Sequence, residues 1–363
     1  MLRPIRISKM LAILPLVYTG MAVRSFADNP QPLAKSGTKD ALFLTITNGT
    51  SNSLVVINTR TKQTAFVPTG GIGGASGNAG GVAVDGKLVA AINFGSSSVS
   101  IFVRKGDAMQ PTQVIKTASQ PVSVTFGQNH LVVLGLTTAE SFPVFGDDVG
   151  TAADGSVSLA RGDKTAAQIT FYDGGVMYTE KSGSVAGLSM SANGAPGLTG
   201  PNDVIQLPAA PNNDTPFGIA GRGANVYLSI AHSNLSEVLV VGNRIVTSTA
   251  GPSPQKDASG NLLHAPCWNA LSGQFMFASD SPGKQVIRYL VSDNGIYLDK
   301  LALAKLGGSP TDLAADGDLL GVIDGGDGVT SNVSIFHLDT EGELTPAIAM
   351  PVSGPINGAA IIR

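Results

Sequence analysis

The sequence has a single cysteine, Cys267, in 363 residues, so no disulfide can form within the chain. Charged residues are also scarce, at 13% of the chain. Only four histidines are present, and they are too scattered for the closely spaced ligands of a zinc site. No G-x-S-x-G or P-loop pattern occurs, which argues against an α/β-hydrolase nucleophile and an NTPase. Because no disulfide can form within the chain, its stability must come from packing and from closure of the fold.

The first 27 residues predict a signal peptide. Arg3, Arg6 and Lys9 form a basic start, residues 10–23 are mostly apolar, and Ala27 ends a stretch suited to cleavage. A membrane anchor is the alternative, but the apolar run is shorter than the ~20 residues that a span needs. Residues 28–40 are polar and predict a flexible lead-in. We therefore expect a secreted protein, periplasmic or extracellular, with no membrane span after cleavage.

Cleavage would remove four of the 23 basic residues and none of the 26 acidic ones, leaving a net charge of −7. An acidic exported chain is a poor candidate for nucleic-acid binding. The expected partner is instead a small molecule or a component of the cell envelope, bound by a monomer.

Glycine is abundant, with 45 residues, and short apolar runs alternate with turns, which favours an all-β fold. Seven pairs of apolar runs form hairpins, beginning at Leu42, Leu88, Leu131, Val176, Val226, Phe275 and Leu319. The strands next to these hairpins start at Ala79, Pro121, Ala166, Pro216, Pro266, Pro310 and Pro355. Successive starts lie 42, 45, 50, 50, 44 and 45 residues apart, which is the size of a four-stranded blade. The sequence predicts a seven-bladed β-propeller over residues 41–363.

The two ends of this repeat complement each other. The hairpin at Leu42 has no inner strand before it, and the start at Pro355 has no hairpin after it. We expect the C-terminal strand to close the N-terminal blade, which removes open sheet edges without a disulfide.

Two rows of polar positions should converge at one mouth of the propeller channel, where ligands bind. One row follows the inner-strand starts and includes Trp268, Asp312 and Asn357; the other lies at the hairpin turns. The turn row contains Asn93, Glu180, His232, Asp280 and Asp324, and His264 precedes an inner strand. Asn and Asp are also favoured at turns for their backbone geometry, so Asn48, Asn93 and Asp324 have a structural alternative.

Two chemistries are open at this mouth. Asp312, Asp280 and Asp324 are candidate ligands of a divalent cation such as Ca²⁺, which would polarise a carbonyl and activate water. Without a metal, Glu180, His232 or His264 is a candidate general base. Trp268, Asn357 and Asn93 are candidate substrate-binding residues.

Three further features have competing interpretations. Cys267 is either a nucleophile or a small core residue, and its place in an inner strand favours the core. Trp268 is either a binding platform or packing between blades. A Gly/Asp insertion at residues 146–155 is either a solvated loop, which we favour, or a calcium loop using Asp147, Asp148 and Asp154.

Residues 43–58 resemble the YVTN-type propeller repeat. The second half resembles bacterial lactonase-like propellers (3-carboxymuconate cyclase-like, 6-phosphogluconolactonase-like), in residues 168–171, 178–181, 215–218, 264–268, 308–312 and 324–327. The resemblance runs from about residue 41 to the C-terminus, with the insertion after Phe145 unmatched. It implies a seven-bladed fold and ring-opening hydrolysis or cyclisation of lactones by His, Arg and Glu side chains.

The chain departs from that pattern, because the inner strands beginning at Pro121 and Pro216 lack the histidines of the phosphogluconolactonase-like branch. Glu180 lies in a matching segment and is the residue best carried over. The leading hypothesis is a secreted lactonase-like hydrolase that opens an acyl-homoserine or sugar lactone. The alternative is a non-catalytic exported propeller that binds a protein, a peptide or an envelope glycan.

Overall fold

Short runs of Val, Ile, Leu and Phe pair as antiparallel strands in the computed structural model, because such residues pack well on a pleated surface. The structure describes residues 40–190, 197–206, 215–231, 237–242, 245–250, 264–292, 295–325 and 329–363. Within this part of the chain the strands form seven sheets, accompanied by one 3-10 turn at Phe94–Ser96. The chain is an all-β β-propeller.

The sheet that contains both ends of the repeat is called here the closing sheet. It joins β29 (Asn357–Ile362), β1 (Leu42–Ile46), β2 (Ser53–Asn58) and β3 (Thr64–Pro68) in that order. The next sheet contains β4 (Val82–Asp85), β5 (Leu88–Asn93), β6 (Ser98–Lys105) and β7 (Ala108–Lys116). The third contains β8 (Pro121–Gly127), β9 (His130–Gly135), β10 (Thr138–Phe145), β11 (Asp148–Val149) and β12 (Gly155–Ser158).

The remaining four sheets follow the chain without exchange of strands. The fourth contains β13 (Ala166–Tyr172), β14 (Gly175–Glu180), β15 (Ser184–Met190) and β16 (Leu198–Gln206). The fifth contains β17 (Thr215–Arg222), β18 (Asn225–Ala231), β19 (Glu237–Gly242) and β20 (Ile245–Ala250). The sixth contains β21 (Pro266–Ser272), β22 (Phe275–Asp280), β23 (Gln285–Ser292) and β24 (Gly295–Lys305). The seventh contains β25 (Pro310–Asp316), β26 (Leu319–Asp324), β27 (Thr330–Leu338) and β28 (Leu344–Ser353).

The first strand of each sheet contacts the first strand of the next. These contacts run β4–β8–β13–β17–β21–β25–β29 and return to β4, so the inner strands form a closed ring. All seven hairpins expected from the sequence are present as paired strands.

The core lies between neighbouring sheets, and β1 shows how. Leu42 and Leu44 pack in one apolar cluster with Val89 and Ile101 of the next sheet. Phe43, on the opposite face, packs in another cluster with Ile335 of the preceding sheet. Because both faces are buried, the strand is a continuous apolar run rather than an alternating one.

The expected closure by the C-terminal strand is confirmed. β29 pairs antiparallel with β1, with Leu42 opposite Ile362. Gly358 has a φ of +73°, and a Cβ there would lie 2.6 Å from the backbone nitrogen of Val82. Glycine is therefore required where β29 passes closest to β4.

The insertion after Phe145 is mostly exposed, as expected of a solvated loop, and part of it also pairs with the third sheet. It contributes the short β11 and β12 to the third sheet. Asp154 accepts hydrogen bonds from Ser141 and binds the ring of His130 at 2.8 Å, so this carboxylate connects strands of the sheet. The predicted signal peptide and nearly all of the lead-in lie outside the described residues. Within the described ranges, no helix has the length and apolar character to cross a bilayer.

Candidate functional site

A cavity of about 420 Å³ lies where several inner strands begin. Loop residues 75–78, the beginnings of β17, β21, β25 and β29, and the turns after β1, β22 and β26 form its wall. Part of the two rows predicted to converge meets here, whereas Glu180, Asp280 and Asp312 are not among the residues that line the cavity. Of the predicted substrate-binding residues, Trp268 and Asn357 line the cavity.

A β-bulge at the start of β21 determines which side chains reach the cavity. The register with β22 shifts between Pro266 and Asn269, and Cys267 and Trp268 occupy the shifted segment. A bulge redirects side chains that regular pleating would alternate. Both residues line the cavity as a result.

Trp268 packs between two sheets, which is one of the two roles that the sequence left open, and it also lines the cavity. Its ring meets Phe217 of the neighbouring inner strand edge to face, with centroids 5.4 Å apart and planes at 89°. It is 5% exposed and also lines the cavity. The pair therefore packs two sheets together and presents an aromatic wall to a ligand.

The expectation that Cys267 is not a nucleophile agrees with its surroundings. Its thiol donates to the carbonyl of Ala265 at 3.2 Å, and its sulfur lies 3.6 Å from the Ser281 hydroxyl oxygen. Burial raises the pKa of the Cys267 thiol to about 11. The neutral thiol that results at physiological pH is a weak nucleophile.

Two buried amides form a pair on the opposite wall. Asn78 and Asn357 each donate to the other's side-chain oxygen at 3.2 Å, and Asn78 also donates to the carbonyl of Val122. The Thr45 hydroxyl donates to the backbone carbonyl of Asn357 at 3.1 Å. Asn78 was not among the predicted site residues. Its place in a loop with no conspicuous motif gave no indication that it would meet the C-terminal strand.

His264 and Asp280 meet as a hydrogen-bonded dyad. Nδ1 of His264 lies 2.8 Å from Oδ2 of the fully buried Asp280. Asp280 also accepts from the backbone N–H of Ala265 at 2.9 Å and from Gln285 at 2.7 Å. The carboxylate thus fixes the imidazole three residues before Cys267, which lines the cavity.

Glu180 was predicted at the mouth of the channel, but it is not among the residues that line the cavity. Its side chain is fully buried and accepts from the backbone N–H groups of Arg161 and Gly162, at 3.1 and 2.9 Å. The Ser184 hydroxyl adds a third bond at 2.9 Å. Both carboxylate oxygens bind the loop that leads into β13. These hydrogen bonds account for a buried carboxylate at this position without an acid–base role.

Asp312 is buried inside the ring of inner strands, 2% exposed. It accepts from the backbone N–H groups of Gly80 at 2.9 Å, Leu313 at 2.8 Å and Ala359 at 3.1 Å. Burial raises the pKa of Asp312 to about 7, against the lowering effect of these three N–H donors. Asp312 therefore links β25 to β29 and to the loop before β4.

The predicted cation site does not form from Asp280, Asp312 and Asp324. Among the described residues no three His, Cys, Asp or Glu side chains are grouped so as to hold a metal ion. The Asp280 and Asp312 oxygens bind donors of their own surroundings, and Asp324 accepts from Asn332 at 2.8 Å. The donor set of these three carboxylates therefore does not fit a bound cation.

The amide side chains predicted at the turns bind neighbouring parts of the fold. Asn48 adopts the left-handed conformation, φ +53°, and its side chain binds the backbone of Gly74 and Ala75. Asn93 is fully buried and bonds to Asn52, Thr69 and Ser100 rather than lining the cavity. His232 lies outside the described residues.

Lys181 is a cation that sequence reasoning passed over. Its Nζ donates to the carbonyl of Gly77, a cavity residue, at 2.7 Å. Burial lowers the pKa of the Lys181 amine. The residue directly follows Glu180 in the segment that resembles the lactonase-like propellers, and this position is the signal that could have identified it.

Comparison with known proteins supports the fold. A protein from Bacteroides fragilis named as a candidate 6-phosphogluconolactonase superposes with a TM-score of 0.63 at 16% identity, over 90% of this chain and 99% of that one. A Lactobacillus plantarum protein superposes with a TM-score of 0.65 at 13% identity, over 90% and 100%. A second candidate 6-phosphogluconolactonase, from Bacteroides uniformis, gives 0.59 at 15% identity, over 86% and 100%.

At these identities the likeness shows a shared β-propeller fold. No family model matches the sequence. No curated protein matches it either. The function therefore has to be argued from the site.

Proposed function

We propose that the protein is a lactonase-like hydrolase whose substrate site is the cavity at the start of the inner strands. The observation that carries the proposal is this cavity together with the His264–Asp280 dyad, which does not itself line the cavity but whose histidine shortly precedes the lining residues Cys267 and Trp268 in the chain. Solved propellers of the same fold that are named as candidate lactonases support it.

His264 is the proposed general base. Asp280 holds the imidazole through Nδ1, an arrangement that orients the ring and stabilises the imidazolium form. In the proposed reaction the imidazole takes a proton from water, and the hydroxide attacks the lactone carbonyl. The tetrahedral intermediate then collapses, the ring oxygen leaves with the proton, and the product is the open hydroxy acid.

Asn357 is the proposed partner of the developing oxyanion. One of its two amide N–H groups binds Asn78, which leaves the other for the carbonyl oxygen of a bound lactone. Such a donor stabilises negative charge where it develops in the transition state.

A lactone panel followed by pH-stat tests the proposal. We expect hydrolysis above the buffer rate for the wild type, and a loss of roughly 100-fold or more in kcat for His264→Asn. His337→Asn, a change of the same chemistry at an exposed position of β27, is the matched control. Activity should survive EDTA, whereas loss in EDTA with recovery in Ca²⁺ would put a cation back into the reaction.

Two results would count against the proposal at different points. No hydrolysis of any lactone would overturn the enzymatic function. Full activity in His264→Asn would overturn only the assignment of the base and return attention to Glu180 and His232.

The second candidate is a non-catalytic propeller that binds a protein, a peptide or an envelope glycan. The observation in its favour is that Glu180, Asp280 and Asp312 all use their oxygens in bonds within the fold. Capture of an envelope component by a preparation inactive on every lactone would support it.

We also propose that each of the seven sheets is one blade and that the mature chain is an exported monomer. The continuous ring of inner-strand contacts supports the blade count. The basic, apolar and small-residue pattern of the first 27 residues supports export. N-terminal sequencing of the secreted protein tests export, and we expect the mature chain to start at Asp28. Light scattering tests the oligomeric state, and we expect the mass of a monomer.

A further inference from the structure

A glycine-rich segment crosses the ring of inner strands at the end where the cavity lies. The backbone N–H of Ala79 donates to the carbonyl of Ala167 in β13 at 3.4 Å, and the next N–H, of Gly80, donates to Asp312 of β25 at 2.9 Å. β13 and β25 are three steps apart in the closed ring, which is as far apart as two of its strands can be. Two consecutive residues therefore bind opposite sides of the ring, and the chain passes across its middle. We call residues 74–81 the crossing segment.

The crossing segment determines how the amide of Asn357 is oriented. Asn78 and Asn357 exchange side-chain hydrogen bonds, both of 3.2 Å, so the oxygen of each amide faces the nitrogen of the other. A Cβ at Gly81 would lie 2.4 Å from Oδ1 of Asn357, so the backbone of the segment covers the same oxygen. The segment therefore decides which N–H of Asn357 is left for the cavity.

The middle of the crossing segment depends on a lysine of the fourth sheet. Asn48 binds the backbone at residues 74 and 75, and Asn78 anchors the other end. The two residues between these anchors, Ser76 and Gly77, are exposed. The Lys181 amine donates to the carbonyl of Gly77 at 2.7 Å, and among the residues that the structure describes no other side chain is hydrogen-bonded to either of the two. An ammonium donor makes a stronger bond to a carbonyl than a neutral one does.

We propose that Lys181 is a positioning residue of the site, which fixes the middle of the crossing segment and through Asn78 holds the amide of Asn357 toward the cavity. Lys181 itself does not touch the substrate. The inference rests on the proposed function in taking Asn357 as the donor to the oxyanion.

Kinetics of lactone hydrolysis tests this role. Lys181→Met keeps an unbranched side chain and removes the amine. We expect kcat to fall about tenfold while KM stays nearly constant, because a misplaced oxyanion donor is lost mainly in the transition state. Lys181→Arg retains a charged donor and should recover most of kcat. Lys87→Met, the same change at the exposed turn after β4, is the matched control and should leave kcat unchanged.

Heteronuclear NMR of the Asn357 side-chain amide reports the positioning without any activity. The signals of this amide are identified by their loss in Asn357→Asp. We expect its protons to exchange with solvent about tenfold or more faster in Lys181→Met, as the loss of one hydrogen bond from a charged group implies. Exchange should return to the wild-type rate in Lys181→Arg.

Gly77→Ala breaks the same hydrogen bond from its other side. A Cβ at Gly77 would lie 2.8 Å from Nζ of Lys181, and the residue has a φ of +65°, which disfavours a side chain. This variant should show the same faster exchange of the Asn357 amide, and it tests the inference without altering the lysine.

The outcomes separate this inference from the proposed function. Wild-type exchange of the Asn357 amide in Lys181→Met would overturn the inference whatever the activity, and so would faster exchange with unchanged kcat in an active enzyme. A loss of kcat in Lys87→Met equal to that in Lys181→Met would overturn it as well. Faster exchange in Lys181→Met and in Gly77→Ala, in a protein that hydrolyses no lactone, would support the positioning by Lys181 and overturn the hydrolase.

Discussion

The closing sheet and the sixth sheet each contain four strands, but they are held together by different means. In the sixth sheet, β21–β24, each strand follows its neighbour along the chain, and Asp280 binds the loop that enters the same sheet. In the closing sheet, β29 reaches β1 from the other end of the chain. The hydrogen bond from Thr45 to Asn357 spans 312 residues.

Side chains of neighbouring sheets compensate for the missing chain connection. Asp312 of β25 accepts from the backbone N–H of Ala359, and Arg104 of β6 donates to the carbonyl of Ile362 at 2.9 Å. Joining distant ends costs chain entropy, which the turn of a hairpin largely avoids. Polar side chains of both neighbouring sheets therefore bind β29 in addition to its pairing with β1.

The largest expected effect follows from removing residues 357–363. Without β29, the edge of β1 and the apolar Leu42 and Leu44 lose their cover, and Asp312 loses Ala359. Since domains are stable by only about 5–15 kcal/mol, we expect this truncation to abolish the cooperative unfolding transition. Thermal melting followed by circular dichroism measures it.

Removal of Arg363 alone is the control for that truncation. It keeps every residue of β29 and should melt cooperatively. A truncated chain that melts at the wild-type temperature would show that the closing sheet does not need its inner strand, and the comparison with the sixth sheet would fail.

The second prediction concerns how stability depends on pH. It involves the buried Asp312, which accepts a hydrogen bond from Ala359 of β29. Its pKa of about 7 in the folded protein lies above that of an aspartate in the unfolded chain, about 3.9. The folded state therefore binds the proton more tightly, and this group makes the protein less stable as pH rises between those values. Asp312→Asn should remove up to about 1.4 kcal/mol of that decline per pH unit.

Urea unfolding at several pH values between 4.5 and 7.5, a window set by those two pKa values, measures the difference between variant and wild type. Asp316→Asn, at the half-exposed end of the same strand, controls for loss of one negative charge. A stability difference that stays constant with pH would show that Asp312 does not titrate in this window.

The sequence predicted the inner part of each sheet well and the outer part poorly. The second strands, such as β5 and β22, are buried throughout, so they appear as unbroken apolar runs bounded by turns. An outer strand such as β3 is mostly exposed, and its residues carry no pattern strong enough to locate it. Closure was predictable because the repeat begins without an inner strand and ends with one.

The repeat phase correctly brought Trp268 and Asn357 to one cavity, but it did not predict the surroundings of the acidic side chains. The repeat phase indicated that Trp268, Asn357 and the acidic turn residues belong at one end of the inner strands. It gave no sign that Glu180 would be enclosed by N–H groups of Arg161 and Gly162, since burial and hydrogen bonding are properties of the folded chain. The Asn78–Asn357 pair was hidden for the same reason, because its members lie 279 residues apart.

The smallest expected effect is that of the ion pairs at the outer end of β29. Arg363 binds Asp316 at 2.8 Å and Asp318 at 2.5 Å, with its side chain partly exposed. Such pairs contribute about 1 kcal/mol or less and are screened by salt. Arg363→Ala should therefore lower the free energy of unfolding slightly in dilute buffer, and less in high salt, whereas Lys105→Ala removes the same charge from β6 as a control. A loss as large as that of the whole strand would mean that ion pairs, rather than backbone pairing and Asp312, hold the closing sheet together.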